Sequence, residues 1–232
     1  MTVTMRTSQS HDDDWGQSSR LYHELRTRII RGDYPPGTRL RERELAEELQ
    51  TSRIPLREAL PQLEADGFIE TRPRRGAIVT QLTMQDVAEL YDVRIGVEVY
   101  ATRLAAQRVA GGAPATGLEE AMANSRAALA TDNATTIAEA SAELHDEIVR
   151  LSGNSLLVSM MRHVSGRDRW IFRMTSNRDP SVACAEHQKL CNAIYAGNAD
   201  LAAAIAYAHI EDGRIPTIAA LKPILPASRE RK

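Results

Sequence analysis

The sequence predicts a mainly α chain in two units, a small three-helix unit with a β-hairpin followed by an all-helical bundle. Three observations carry this expectation. Aromatic residues make up 4% of the chain against 43% hydrophobic residues overall, and the poverty of Phe, Trp and β-branched runs favours helix over sheet. Apolar residues recur at three- and four-residue spacing from Leu21 to Leu221. Two short β-prone runs, residues 68–71 and 77–80, interrupt that periodicity and flank a basic turn. The 232 residues suffice for one large or two small domains, and the composition excludes disordered, collagenous and disulfide-scaffold classes.

Residues 1–19 are polar, Ser-rich and aperiodic, and read as a disordered leader. Leu21, Leu25, Ile29 and Ile30 fall on one face of a first helix that Gly32 ends, before the turn Tyr34-Pro35-Pro36-Gly37. A second helix over 41–49 turns Leu45, Ala46 and Leu49 inward, and Gln50-Thr51-Ser52 is a short turn. A third helix starts at Arg53, with Leu56, Ala59, Leu60 and Leu63 as its stripe, and stops at Asp66-Gly67. Pro61 stands inside that helix, where it removes a hydrogen bond and crowds the carbonyl of Arg57, so a kink or an early end is expected. The hairpin follows, tipped by Arg72-Pro73-Arg74-Arg75-Gly76. Residues 20–82 are thus laid out as a winged helix-turn-helix.

Charge supports a nucleic-acid reading of that layout. The net charge is −2, but residues 20–82 hold 12 Arg against 10 acids, whereas 83–225 hold 13 bases against 17 acids. Arg forks match phosphates and guanine edges. Arg53 and Arg57 lie four apart at the start of the third helix and project from one face. Ser52 is placed to cap that helix and to donate to a phosphate, Arg43 to reach the same groove or its backbone, and Arg72, Arg74 and Arg75 to bring the wing against phosphates or the minor groove. Each Arg alone reads equally as a solvated charge or a salt bridge to Glu42, Glu44 or Glu58; the arrangement as a whole favours DNA.

The pattern Arg26-x-x-Ile29-x-x-Gly32-x-x-x-Pro36-Gly37-x-x-Leu40-x-Glu42-x-x-Leu45-Ala46, then Ser52-Arg53-x-Pro55-Leu56-Arg57-Glu58-Ala59-Leu60-x-x-Leu63, then Gly67 and Gly76, resembles the DNA-binding domain of the GntR family of bacterial transcription factors. The resemblance implies that Arg43, Ser52, Arg53 and Arg57 contact an operator, with Gly76 at the wing tip. Pro61 departs from it, since relatives carry a polar helix former there.

In the second unit, 83–225, Thr83 and Asp86 form a capping pair for a helix running to about residue 109. Gly111-Gly112-Ala113-Pro114 breaks it. Further helices are predicted over 118–130, 135–151, 155–175, 180–196 and 200–221, a six-to-seven-helix bundle, with a basic tail at 226–232. His145, His187 and His209 sit mid-helix on three different helices, and three imidazoles can converge on one divalent ion with positions left open. A lone helical His, however, is commonly an ordinary buried polar residue. Leu144-His145-x-x-Ile148-x-x-x-Ser152-Gly153-Asn154, Glu186-His187 and Ala208-His209 resemble the ligand-binding FCD domain of the FadR-type GntR branch. That resemblance implies a metal held by three His and an Asp one helical turn before the first, and Ser141 stands at the Asp position. It further implies a zinc or nickel ion. A divalent ion with open positions suits an organic acid effector, and Arg94 on the first bundle helix is the candidate second clamp on its carboxylate; a buried ion pair of Arg94 with Glu98 or Asp92 is the competing reading.

The resulting expectation is a dimeric, cytoplasmic, ligand-responsive regulator that binds an inverted-repeat operator, represses a catabolic operon and is released by a small carboxylate. A metal-responsive regulator and a three-His metal hydrolase are the alternatives. No motif supplies the hydrolase with a carboxylate base, a phosphate loop or a nucleophile elbow. The longest apolar run, residues 201–208, is far short of a membrane span. Cys184 and Cys191, seven apart on one predicted helix, stand too far apart for a disulfide.

Overall fold

The computed structural model describes residues 9–72, 74–175 and 179–228, with only the backbone of 9–15. They divide into two compact units, one ending at Gln81 and the other beginning at Leu82.

The first unit opens with α1 (Gln9–Arg31). This corrects the expected leader: residues 9–19 continue the helix upstream of Leu21, and residues 1–8 lie outside the described residues. Leu21, Leu25 and Ile29 are buried as their spacing predicts, and α1 packs on α3 (Arg53–Ala65). Between them lies α2 (Glu42–Glu48), with Leu45 buried. Leu56, Ala59, Leu63 and Phe68 are fully buried and close the small core.

The helix α3 runs through Pro61 to Ala65, so the early end expected at the proline does not occur. Pro61 is exposed, and its ring meets solvent rather than a neighbour. The hairpin pairs β2 (Ile69–Arg72) with β3 (Gly76–Val79), Arg72 opposite Gly76. A two-residue strand missed by periodicity, β1 (Arg39–Leu40), pairs with the other edge of β3, giving the order β1-β3-β2. Gly76 has φ 72° and Arg74 has φ 63°, so the tight wing uses the left-handed region twice; glycine, with no Cβ, enters it freely, whereas Arg74 does so at a steric cost.

In the second unit, α4 (Met84–Arg94), a π turn (Ile95–Val99) and α5 (Tyr100–Ala110) form one continuous helix. Its start is the expected capping box, with the Asp86 amide donating to Thr83 Oγ1 at 3.1 Å and the Thr83 amide donating to Asp86 Oδ2 at 2.9 Å. Then come α6 (Thr116–Leu129), α7 (Ala134–Leu151), α8 (Ser155–Arg173), α9 (Pro180–Tyr195) and α10 (Ala199–Leu221). Asn133, Asn154, Asp179 and Asn198 cap the N-termini of α7, α8, α9 and α10 through their side-chain oxygens. Leu118, Met122, Leu144, Ile148, Leu190 and Ile194 fill the centre. After α10 the chain turns back to α4, where the Met84 amide donates to the Pro226 carbonyl at 2.8 Å. The expected basic tail begins there, but residues 229–232 lie outside the described residues. Both cysteines are on α9, buried and free. No helix among the described residues is long and apolar enough to cross a membrane.

Replacing Pro61 by Gln restores an amide to the interior of α3 at an exposed position. A helix-interior proline costs up to about 3 kcal/mol relative to ordinary residues, so P61Q is expected to raise the midpoint of thermal unfolding followed by circular dichroism. A lower midpoint would mean that the ring stabilises this helix locally.

Candidate functional site

Two sites emerge, one in each unit. In the bundle, α7, α9 and α10 each bring one buried imidazole to a common point. The Nε2 atoms of His145 and His187 are 3.2 Å apart, those of His187 and His209 3.0 Å, and those of His209 and His145 3.4 Å. Two of the three far nitrogens are tied down by carboxylates. His145 Nδ1 lies 2.8 Å from Glu98 Oε2, and His209 Nδ1 lies 2.7 Å from Glu186 Oε2. A carboxylate at that distance holds the ring proton on Nδ1, which leaves the Nε2 lone pair facing the common point.

Such a donor set fits a divalent ion. The Nε2 lone pairs of His145 and His209 both face the Nε2 of His187, so a cation between the three would be held by all of them. With metal–nitrogen bonds of about 2.0–2.1 Å, a tetrahedral edge is about 3.3 Å, close to the separations found. Imidazole suits zinc and nickel alike.

Behind His145 stands a buried charge chain. Glu98, on the π turn, accepts from Arg94 Nε at 2.6 Å, and Arg94 Nη1 lies 3.0 Å from Asp168 on α8. Burial pushes the Glu98 carboxyl up, but Arg94 and His145 outweigh it and hold it well below the usual carboxylate range. For Asp168 burial prevails over Arg94 and pushes the carboxyl up to about 6. The expected role of Arg94 as an effector clamp therefore needs correction. Its guanidinium is 2% exposed and engaged on both sides, and it does not line the adjoining cavity. The competing ion-pair reading holds for Glu98 but not for Asp92, which pairs with Arg214 instead.

The cavity beside the histidines measures about 290 Å³, and its walls include Ser141, Phe172 and Arg173 as well as all three imidazoles. Ser141, one turn before His145 on α7, brings a neutral hydroxyl where a carboxylate was expected.

In the first unit, Arg53 and Arg57 project from the N-terminal turns of α3 and share one partner. Glu42 Oε2 accepts from Arg53 Nη2 at 3.0 Å and from Arg57 Nε at 2.8 Å. Partial burial raises the Glu42 carboxyl, yet Arg57 and Arg53 together leave it below its ordinary value. Both Arg side chains are more than half exposed, so these pairs add little stability and chiefly orient the guanidiniums. Arg43 is exposed on α2, and Arg74, Arg75 and Gly76 are exposed at the wing. Ser52 occupies the N-cap of α3, but its side chain makes no capping hydrogen bond; the hydroxyl expected to cap the helix is exposed instead.

Sequence reasoning missed Glu98 and Glu186 as the groups that fix two of the imidazoles, and Asp168 as the second partner of Arg94. A signal existed: Glu98 falls on the inward face of its helix, and Glu186 adjoins His187.

Two family models match the chain, one described as bacterial regulatory proteins, gntR family, over residues 17–79 and one described as FCD domain over residues 89–212. A protein assigned as the D-xylose utilization operon transcriptional repressor of Paenarthrobacter nicotinovorans is 33% identical over 176 residues, covering 75% of this chain and 76% of its own. The chain belongs to the GntR family. The HTH-type transcriptional regulator YdhC of Bacillus subtilis is 29% identical to this GntR protein over 82% of the chain and 86% of its own length. A crystal structure of a GntR transcriptional regulator from Rhodococcus sp. RHA1 shares the fold, with a TM-score of 0.74 at 24% identity, over 88% of this chain and 99% of that one. This GntR protein is a DNA-binding transcriptional regulator with an FCD domain. Its relatives are regulators, and the hydrolase alternative falls.

Removing Arg94 takes the shared cation from Asp168 and Glu98 and leaves Glu98 with His145 alone. Breaking a buried pair costs about 3–5 kcal/mol, so R94A is expected to lose that much stability in urea unfolding. A clamp waiting for a ligand would leave the unliganded stability unchanged.

Proposed function

We propose that this regulator belongs to the FadR-type branch and acts as a homodimeric, cytoplasmic repressor of a catabolic operon, released from an inverted-repeat operator by a small organic acid. The observation that carries the reading is the convergence of His145, His187 and His209 on the wall of a cavity large enough for a small acid. Those three residues would hold zinc or nickel, and the ion, when bound, offers open coordination positions to a carboxylate. Ser141 adds no negative charge, so an anionic ligand meets less repulsion than it would beside an Asp. On the DNA side, Arg53 and Arg57 read base edges in the major groove, Arg43 and Ser52 contact the same site, and Arg74 and Arg75 flank Gly76 against the phosphates.

A metal-responsive regulator is the second reading. The observation that favours it is Ser141 itself, since a site short of one anionic donor fills and empties over a range of ion concentrations. A chelator that releases the operator without any added acid favours this reading; release by an organic acid at constant metal favours the first.

In gel-shift titrations R53A and R57A are each expected to lose specific binding, at about 1–3 kcal/mol per bidentate contact, while remaining folded. R74A is expected to weaken binding on all sequences and to reduce the salt slope by about one unit. Full operator affinity in both α3 variants would remove that helix from the interface.

Metal content after dialysis against a weak chelator, with calorimetric titration of zinc and nickel, tests the bundle site. S141D is expected to bind either ion more tightly than the native chain, and H187A to retain none. Equal, negligible metal in all three would leave the cavity as a metal-free effector site.

A further inference from the structure

The face of α3 that points away from the core carries more than arginines. Successive residues on a helix turn by about 100°. The buried residues Pro55, Leu56, Ala59 and Leu63 define the inward side. Ile54 lies roughly opposite their mean direction, about 60° round the helix from Arg57 and 100° from Arg53. Its side chain is 61% exposed. It is the second residue of the helix, and the guanidiniums beside it are oriented through Glu42. An exposed branched alkyl group at the outward centre of the first turn, flanked by two oriented cations, has no role in the core and none in the salt bridges.

We infer that Ile54 is a specificity-determining residue that contacts the 5-methyl group of a thymine in each operator half-site, beside the base edges taken by Arg53 and Arg57. The major groove presents that methyl as the one apolar mark among its donors and acceptors. Arg forks favour guanine, so they leave an adjacent A·T pair unread. An alkyl group on the same helical turn distinguishes thymine from cytosine, which offers an amino group and no methyl. The short, β-branched side chain has few rotamers to lose, which suits a contact made from a fixed helix. The inference rests on the assignment of α3 as the reading helix made above.

The test uses the full chain and an operator duplex recovered by in-vitro selection from a randomised library. Each thymine of the duplex is replaced singly by deoxyuridine, which deletes only the methyl group. Wild type is expected to lose about fourfold in affinity at one thymine per half-site, the burial of one methyl-sized group. I54A is expected to lose a similar factor on the thymine operator and then to be indifferent to uracil at that position. I54V keeps part of the discrimination, which guards against a general disturbance of the helix. Circular dichroism and sedimentation of I54A are expected to match wild type. If no thymine gives a methyl-dependent loss, or if I54A shows the same uracil penalty as wild type, Ile54 does not read a methyl group. A change in oligomeric state would assign the side chain to self-association and overturn the proposal too. Failure of the underlying reading looks different, because R53A and R57A would then keep full operator affinity.

Discussion

Three imidazole nitrogens brought within 3.0–3.4 Å of one another have the spacing that ligands of one divalent ion adopt. That constraint organises the bundle. Each of α7, α9 and α10 has to deliver one imidazole to a point no helix could furnish alone, and Asx residues capping their N-termini fix where each begins. The rings also need their outer nitrogens held, which brings Glu98 and Glu186 to the site. Glu98 is buried and needs Arg94, and Arg94 needs Asp168. Counting Arg94 against the three carboxylates leaves two negative charges around neutral imidazoles, the complement of a divalent cation.

The π turn at Ile95–Val99 belongs to the same logic. Arg94 and Glu98, four residues apart, face inward together as on any helix, and in the widened turn the adjacent Val97 is buried as well. Such single-turn widenings recur at functional positions, and here the widened turn carries the carboxylate that sets the tautomer of His145.

Much of this was legible in the sequence, and the exceptions have physical causes. Helix order, the Thr83–Asp86 box and the hairpin followed from periodicity and capping chemistry, which are local. The three histidines were legible as candidates because each lay mid-helix, and the resemblance to a known domain joined them. The charge chain was not legible: Arg94 and Asp168 are far apart in sequence, and only packing decides that Asp168 rather than Asp92 takes the guanidinium. The strand β1 was too short for any alternation to register. Residues 9–19 lacked an apolar stripe, yet the helix begun there continues into one that has it, so propagation from a packed segment overrode composition. Pro61 was expected to kink α3 or end it early, but the helix continues to Ala65 with Leu63 fully buried beyond the proline.

If Arg53 and Arg57 read the operator as proposed, the Glu42 carboxylate between them bears on how the regulator searches a chromosome. A phosphate met at random has to compete with a carboxylate already in place, and approaches it against like charge. Sites without the right base edges therefore hold the protein weakly, and it leaves them quickly. At a matching site, two guanidiniums whose rotamers are already restricted lose less entropy on docking. On that proposal the acid would lower the grip on DNA in general more than on the operator. Because non-operator sequence vastly outnumbers any target, that difference governs how often the target is occupied.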